Sequence, residues 1–178
     1  ETGGGKSGFL HQAISCMTHN KNLKLYIIDL KKVEFGYVQN HAEIVMTLPD
    51  ALSVLESLCL EMVSRMDLLL KRKRNNIKGI NLPYLVLIID ELSQLSPELA
   101  KDPDVKQMRK YAHQMLTDIL CLARALGIHV ILSTQRPDKD VLPGQLKANI
   151  PAALCFKVKN EMNSRIILDN NKADLLPR

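Results

Sequence analysis

Four runs of the chain, 23–29, 84–90, 128–134 and 152–158, are apolar at nearly every position. Unbroken apolar runs of this length fit strands covered by helices on both faces, as in a parallel sheet. Between the runs, apolar residues recur at spacings of three and four. Ala51, Leu55, Leu58, Met62, Met66 and Leu69 form one stripe, on a helix expected to start near Asp50. Val105, Met108, Ala112, Met115, Ile119, Leu122 and Leu126 form a second, opened by Asp102-Pro103 and stopped by Gly127. Both stripes, methionines included, read as core. Asn75, Asn76, Gly79 and Asn81 break the chain before the second run. Strands alternating with helices predict an α/β fold: one domain, a mainly parallel sheet, helices on both faces.

Composition narrows the class. With 178 residues, 46% of them hydrophobic and 24% charged, the chain can bury a sizeable core, which excludes disorder, collagen-like repeats and a disulfide miniprotein. It has no apolar run long enough to span a bilayer. It opens on Glu1 and a glycine run, so no secretory leader is expected. Cys16, Cys59, Cys121 and Cys155 lie in apolar stretches at spacings that fit neither a zinc motif nor a disulfide framework. They read as buried free thiols in a reducing compartment. Lys and Arg number 24 against 19 Asp and Glu, a mild excess that permits a nucleic-acid partner. The densest basic run, Lys71-Arg72-Lys73-Arg74 with Lys78 nearby, follows the first long helix and reads as its solvated end. No residue is assigned to DNA contact.

Two segments carry chemistry. Thr2-Gly3-Gly4-Gly5-Lys6-Ser7 fits the phosphate-binding pattern G-x-x-x-x-G-K-[ST] at each visible position, its leading glycine falling before Glu1. Glycines let successive backbone N–H groups curl round a phosphate. Lys6 would supply a cation to the β- and γ-phosphates, and the Ser7 hydroxyl a ligand to Mg²⁺. The strand that normally precedes such a loop is expected to lie outside this chain. The second segment is Asp90-Glu91, at the end of an apolar strand about 85 residues further on. Asp90 would hold Mg²⁺ through water, and Glu91 would polarise the attacking water. Thr134 and Gln135, polar residues ending the third run, would sit beside that pair, and Gln135 is a candidate γ-phosphate sensor. His129 reads as a packed histidine.

Five stretches together resemble the FtsK/SpoIIIE motor ATPases, within the HerA/FtsK group of P-loop proteins. They are Thr2 through Ser7; Ile28-Asp29-Leu30-Lys31; Leu87-Ile88-Ile89-Asp90-Glu91-Leu92; Ala123-Arg124-Ala125-Leu126-Gly127-Ile128-His129 running into Ser133-Thr134-Gln135-Arg136-Pro137; and Ile150-Pro151 continued by Asn163-Ser164-Arg165. Leu30 stands where the family usually has proline, and Ser93-Gln94-Leu95 where Ala-Asp-Leu is more usual. The resemblance implies a single RecA-like ATPase domain over residues 1–178, truncated at both ends, that uses ATP and Mg²⁺. It further implies a homo-oligomeric, hexameric ring around double-stranded DNA. Membrane attachment would come through N-terminal segments outside this chain, placing the protein in the cytoplasm at the inner face of the membrane. The departures favour a conjugative or mobile-element member. A type VII protein-secretion ATPase and a nucleotide-binding module without hydrolysis are the alternatives. Arg165 is the arginine finger that the resemblance suggests, with Arg124 and Arg136 as rivals and an ion pair to Asp169 as its structural alternative.

Overall fold

The computed structural model describes residues 5–32 and 34–176. Its sheet has the strands β1 (Leu23–Ile28), β2 (Ala42–Val45), β3 (Tyr84–Ile89) and β4 (Ile128–Leu132) in the order β2-β1-β3-β4, with every pairing parallel. Register is set along the central pair, where Leu23 to Ile28 lie opposite Tyr84 to Ile89. Successive side chains point to opposite faces, and both faces are covered. Leu85, Leu87 and Ile89 enter one apolar cluster with Leu55, Leu58, Leu116 and Ile119. Val86 and Ile88 enter the other with Leu10, Ile14, Leu25, Ile27 and Phe35. That double covering is why the strands read as continuous apolar runs.

Helices α1 (Lys6–Thr18), α2 (Leu48–Lys71) and α3 (Pro103–Leu122) supply the covering. Helix α2 begins two residues before Asp50: Thr47 caps it, its hydroxyl oxygen accepting from the Asp50 N–H at 3.3 Å. Asp102 caps α3, accepting from the N–H groups of Asp104 and Val105 at 2.9 and 3.0 Å. A tight turn over 123–126 follows α3, and Gly127, at φ +70°, turns the chain into β4. Two short helices, α4 (Gly144–Ala148) and α5 (Glu161–Leu168), complete the chain.

The structure corrects several expectations. Residues 152–158 form no strand: an apolar run needs a ladder, and among the described residues this one has only a single backbone bond to another segment, from the Val158 N–H to the Ala173 carbonyl at 3.4 Å. Leu154 is 60% exposed, and Phe156 rests against the Phe9 ring at 6.2 Å. Strand β2 was not foreseen; four residues are too few to show a period, and the ladder with β1 is what makes it a strand. The cysteines are free but not buried, with Cys16 and Cys121 exposed and Cys59 and Cys155 half-buried. His129 is exposed and stacks on Tyr84 at 5.9 Å rather than packing inside. Met66 and Leu122 lie outside the stripes' buried portion, at 38% and 52% exposure. Lys71 through Arg74 are exposed at the end of α2, as a solvated helix end should be.

Candidate functional site

In a parallel sheet the strands' carboxyl ends share one rim, where ligands collect. Here that rim gathers Asp29 and Lys31 after β1, Asp90 and Glu91 after β3, and Thr134 and Gln135 after β4. The amino end of α1 meets it. Gly5 stands there at φ +88°, a left-handed conformation that favours glycine, and a Cβ on it would sit 3.4 Å from the Phe156 ring. Lys6 and Ser7 open the helix, whose unpaired N–H groups and dipole suit an anion. Thr2, Gly3 and Gly4 lie outside the described residues.

Lys6 and Asp90 are brought together across the chain. The Lys6 ammonium donates to the Asp90 carbonyl oxygen at 3.2 Å and, at longer range, to Oδ1 at 3.5 Å. Asp90 is 1% exposed, and its Oδ2 is buried without a hydrogen-bond partner among the described residues. Burial pushes the Asp90 carboxyl above its ordinary value; the nearby Lys6 opposes this, Glu34 adds to it, and Lys31 opposes it. An orphaned, buried carboxylate oxygen beside a phosphate-type loop fits a Mg²⁺ site. That ion takes one or two protein oxygens and fills its remaining positions with phosphate and water. Ser7 and Asp90 are the residues that would hold it.

Glu91 is in a different state. Burial alone would raise its carboxyl, but hydrogen bonds from the Thr134 and Lys31 side chains, the Gln135 backbone N–H and the Ser93 side chain outweigh burial and hold it below the ordinary value. The Thr134 hydroxyl donates to Oε1 at 2.6 Å and the Lys31 ammonium to Oε2 at 3.1 Å. The Gln135 N–H donates to both oxygens, at 3.1 and 3.3 Å. Gln135 therefore meets Glu91 through its backbone; it also lines a shallow recess of about 210 Å³ with Asp138, Val158 and Asn163. The sequence reading gave Lys31 and Glu34 no role. Their signal was position: charged residues just past the end of a buried parallel strand.

Among the described residues no arginine side chain is bonded to this cluster, although Arg136 shares the recess of Gln135. Arg165 is on α5, 67% exposed at its side chain, and its guanidinium donates to Glu161 at 2.6 and 3.0 Å. Asp169, its expected alternative partner, accepts instead from Lys147 at 2.6 Å. Arg136 is paired with Asp138 at 3.6 Å, and Arg124 is exposed.

Residues 1–82 match the FtsK/SpoIIIE family. The DNA translocase FtsK of Borreliella burgdorferi is 34% identical over 194 residues, covering 98% of this chain and 24% of the relative. That of Treponema pallidum is 35% identical, covering 98% of this chain and 23% of the relative. The chain thus spans about a quarter of the length of these curated relatives. Among solved structures, the conjugation coupling protein TcpA of pCW3, in its monomer form with ATPγS, superposes with a TM-score of 0.92 at 29% identity, covering 100% of this chain and 52% of that one. The cytoplasmic domain of the Thermomonospora curvata type VII secretion ATPase EccC gives 0.72 at 22% identity, over 99% of this chain and 22% of that one, a likeness of fold.

Proposed function

The chain belongs to the FtsK/SpoIIIE family, and from that premise we propose that it is the ATP-hydrolysing core of a motor that moves double-stranded DNA. The observation that carries the reading is the polar rim itself: Lys6 beside Asp90, an Asp90 oxygen with no partner among the described residues, and Glu91 as the neighbouring carboxylate. Residues 1–178 act as one RecA-like ATPase domain. Lys6 and the N–H groups at the start of α1 bind the phosphates. Mg²⁺, when bound, neutralises phosphoryl charge; Ser7 and Asp90 hold it. Glu91 orients and deprotonates water for attack on the γ-phosphorus, and Gln135, joined to Glu91 by its backbone, senses whether that phosphate is present.

In this reading the working form is a homo-oligomeric ring, hexameric as in the family resemblance, on the cytoplasmic side of a membrane that other segments of the protein reach. Arg165 serves as the finger for a neighbouring subunit's nucleotide; its side chain is exposed and, among the described residues, tied only to Glu161 on its own helix, a pair it can exchange. The TM-score of 0.92 to a conjugation coupling protein favours DNA transfer between cells over a purely chromosomal task.

The test is ATP hydrolysis by the intact protein with and without duplex DNA. Stimulation by DNA, abolished by Lys6→Ala, is expected. Hydrolysis indifferent to DNA would return the cargo question to a secreted protein, and nucleotide binding without hydrolysis would leave a binding module.

A further inference from the structure

The Glu91 carboxylate is fully occupied. Two oxygens offer about four lone-pair sites, and donors already fill them: the Thr134 hydroxyl, the Lys31 ammonium and the backbone N–H groups of Gln135 and Ser93. Its side chain is 4% exposed. A general base must accept from the water it activates, so at least one of these donors has to leave before Glu91 can act.

The donors differ in how easily they can go. Two are backbone groups, and the Thr134 hydroxyl is anchored at the end of β4, where it also accepts from the Arg136 N–H at 3.0 Å. Lys31 alone is long, flexible and 32% exposed at its side chain. It stands on the connection after β1, at the rim where the polyphosphate would arrive. There, Lys6 faces Asp90 and Lys31 faces Glu91, one cation per carboxylate. An incoming polyphosphate adds negative charge that competes for both cations.

We propose that Lys31 is a positioning residue that restrains Glu91 in the nucleotide-free protein, and that nucleotide binding releases it. The Lys31–Glu91 pair holds the water-activating carboxylate occupied until phosphate draws the ammonium away, so that Glu91 becomes free to take a water only when there is something to hydrolyse. The inference rests on the nucleotide-site reading above and adds to it how the site is held off.

A binding cycle tests it without using turnover. ATPγS with Mg²⁺ is titrated into the intact protein and into its Lys31→Met, Glu91→Gln and doubly substituted forms. Any direct attraction of Lys31 to phosphate acts in both Glu91 backgrounds and cancels; only the pair lost on binding survives the comparison. The factor by which Lys31→Met changes Kd should be shifted toward tighter binding by about three- to tenfold when Glu91 is present, relative to the Glu91→Gln background, the size expected of a partly exposed ion pair. Equal factors in the two backgrounds, or a shift toward weaker binding, would overturn the proposal. Lys31→Gln serves as the second variant should Lys31→Met fail to fold. The same four proteins unfolded in urea without nucleotide should show non-additive stabilities, and additivity there would equally sink the restraint. If the unsubstituted protein and Lys6→Ala both fail to bind ATPγS, the nucleotide reading falls and the release step falls with it. The urea cycle then still reports on the pair by itself, so the two failures are told apart.

Discussion

The two ends of β3 bury charge in opposite ways. Where the strand begins, Arg65 of α2 is 2% exposed, and each part of its guanidinium is answered: Nε by Glu61 at 2.8 Å, Nη1 by the Leu126 carbonyl at 2.8 Å, Nη2 by the Pro83 carbonyl at 2.9 Å. Where the strand ends, Asp90 is as deeply buried but keeps one oxygen without a partner among the described residues. A satisfied buried charge fastens elements together; here α2 is tied to the entrance of β3 and to the turn before β4. An unsatisfied one is a cost that persists where a ligand is to supply the missing partner. The difference separates scaffold from site on one strand of six residues.

The comparison predicts that substitutions at the two ends change different observables. Glu91→Gln should leave the fold and ATPγS binding in place while phosphate release by the intact protein falls about 10²- to 10⁴-fold, the usual worth of a general base. Steady-state turnover at saturating ATP checks it; turnover near the unsubstituted rate would move the water-activating role to another residue. At the other end Arg65→Ala should cost about 3 kcal/mol of stability, since the buried Leu126 carbonyl and the half-buried Pro83 carbonyl lose their donor and the long side chain leaves a void. Urea unfolding measures this, and Arg65→Met, which keeps much of the volume, should recover part of the loss. A change under about 0.5 kcal/mol would mean that water answers the carbonyls of Pro83 and Leu126 as well as the guanidinium does.

The turn that presents Leu126 to Arg65 has its own requirement. Gly127 lies at φ +70°, and a Cβ there would fall 2.2 Å from the Ile77 Cδ1. Gly127→Ala should therefore destabilise by about 2 kcal/mol through strain and the shift forced on Ile77. Adding Ile77→Val should restore part of it if the clash dominates, and none if the backbone conformation does.

How much of this was legible in the sequence follows from the same contrast. Strands β1, β3 and β4, the N-cap of α3 and the placement of Lys6, Asp90, Glu91 and Thr134 at one rim all follow from local pattern and from the geometry of a parallel sheet. Gly127, by contrast, ends the tight turn over 123–126 and not α3, which closes at Leu122. Arg65 was not legible. A charged residue in an amphipathic helix is assigned to solvent, and nothing in the pattern shows that two carbonyls, 18 and 61 residues away in sequence, lack donors. Lys31 stood inside a quoted motif without a role for the same reason: its partner is 60 residues distant. The 152–158 run misled in the other direction, because apolar composition sets the tendency to pair and a neighbour decides whether pairing happens.

The smallest expected effect sets the two adjacent carboxylates against each other. Burial raises the Asp90 carboxyl above its ordinary 3.8, so in the nucleotide-free protein the fold binds more protons at this site than the unfolded chain does. Stability from Asp90 is thus greatest when it is protonated and is lost as pH rises through its folded value. Glu91, held below its ordinary 4.5, has the opposite sign: its contribution is present above that value and is lost as pH falls through its folded value. Asp90→Asn removes the first dependence and keeps the second. The variant should be as stable as the unsubstituted protein or more stable by up to about 1 kcal/mol at neutral pH, as happens when a strained functional charge is neutralised. Its advantage should shrink as pH falls and Asp90 would have protonated anyway. Urea midpoints between pH 4 and pH 7 without Mg²⁺ or nucleotide decide it. A variant less stable at neutral pH by more than about 1 kcal/mol would mean that the Lys6 contact at 3.5 Å outweighs burial, and that Asp90 resembles Arg65 after all: a charge kept for the fold rather than for a ligand.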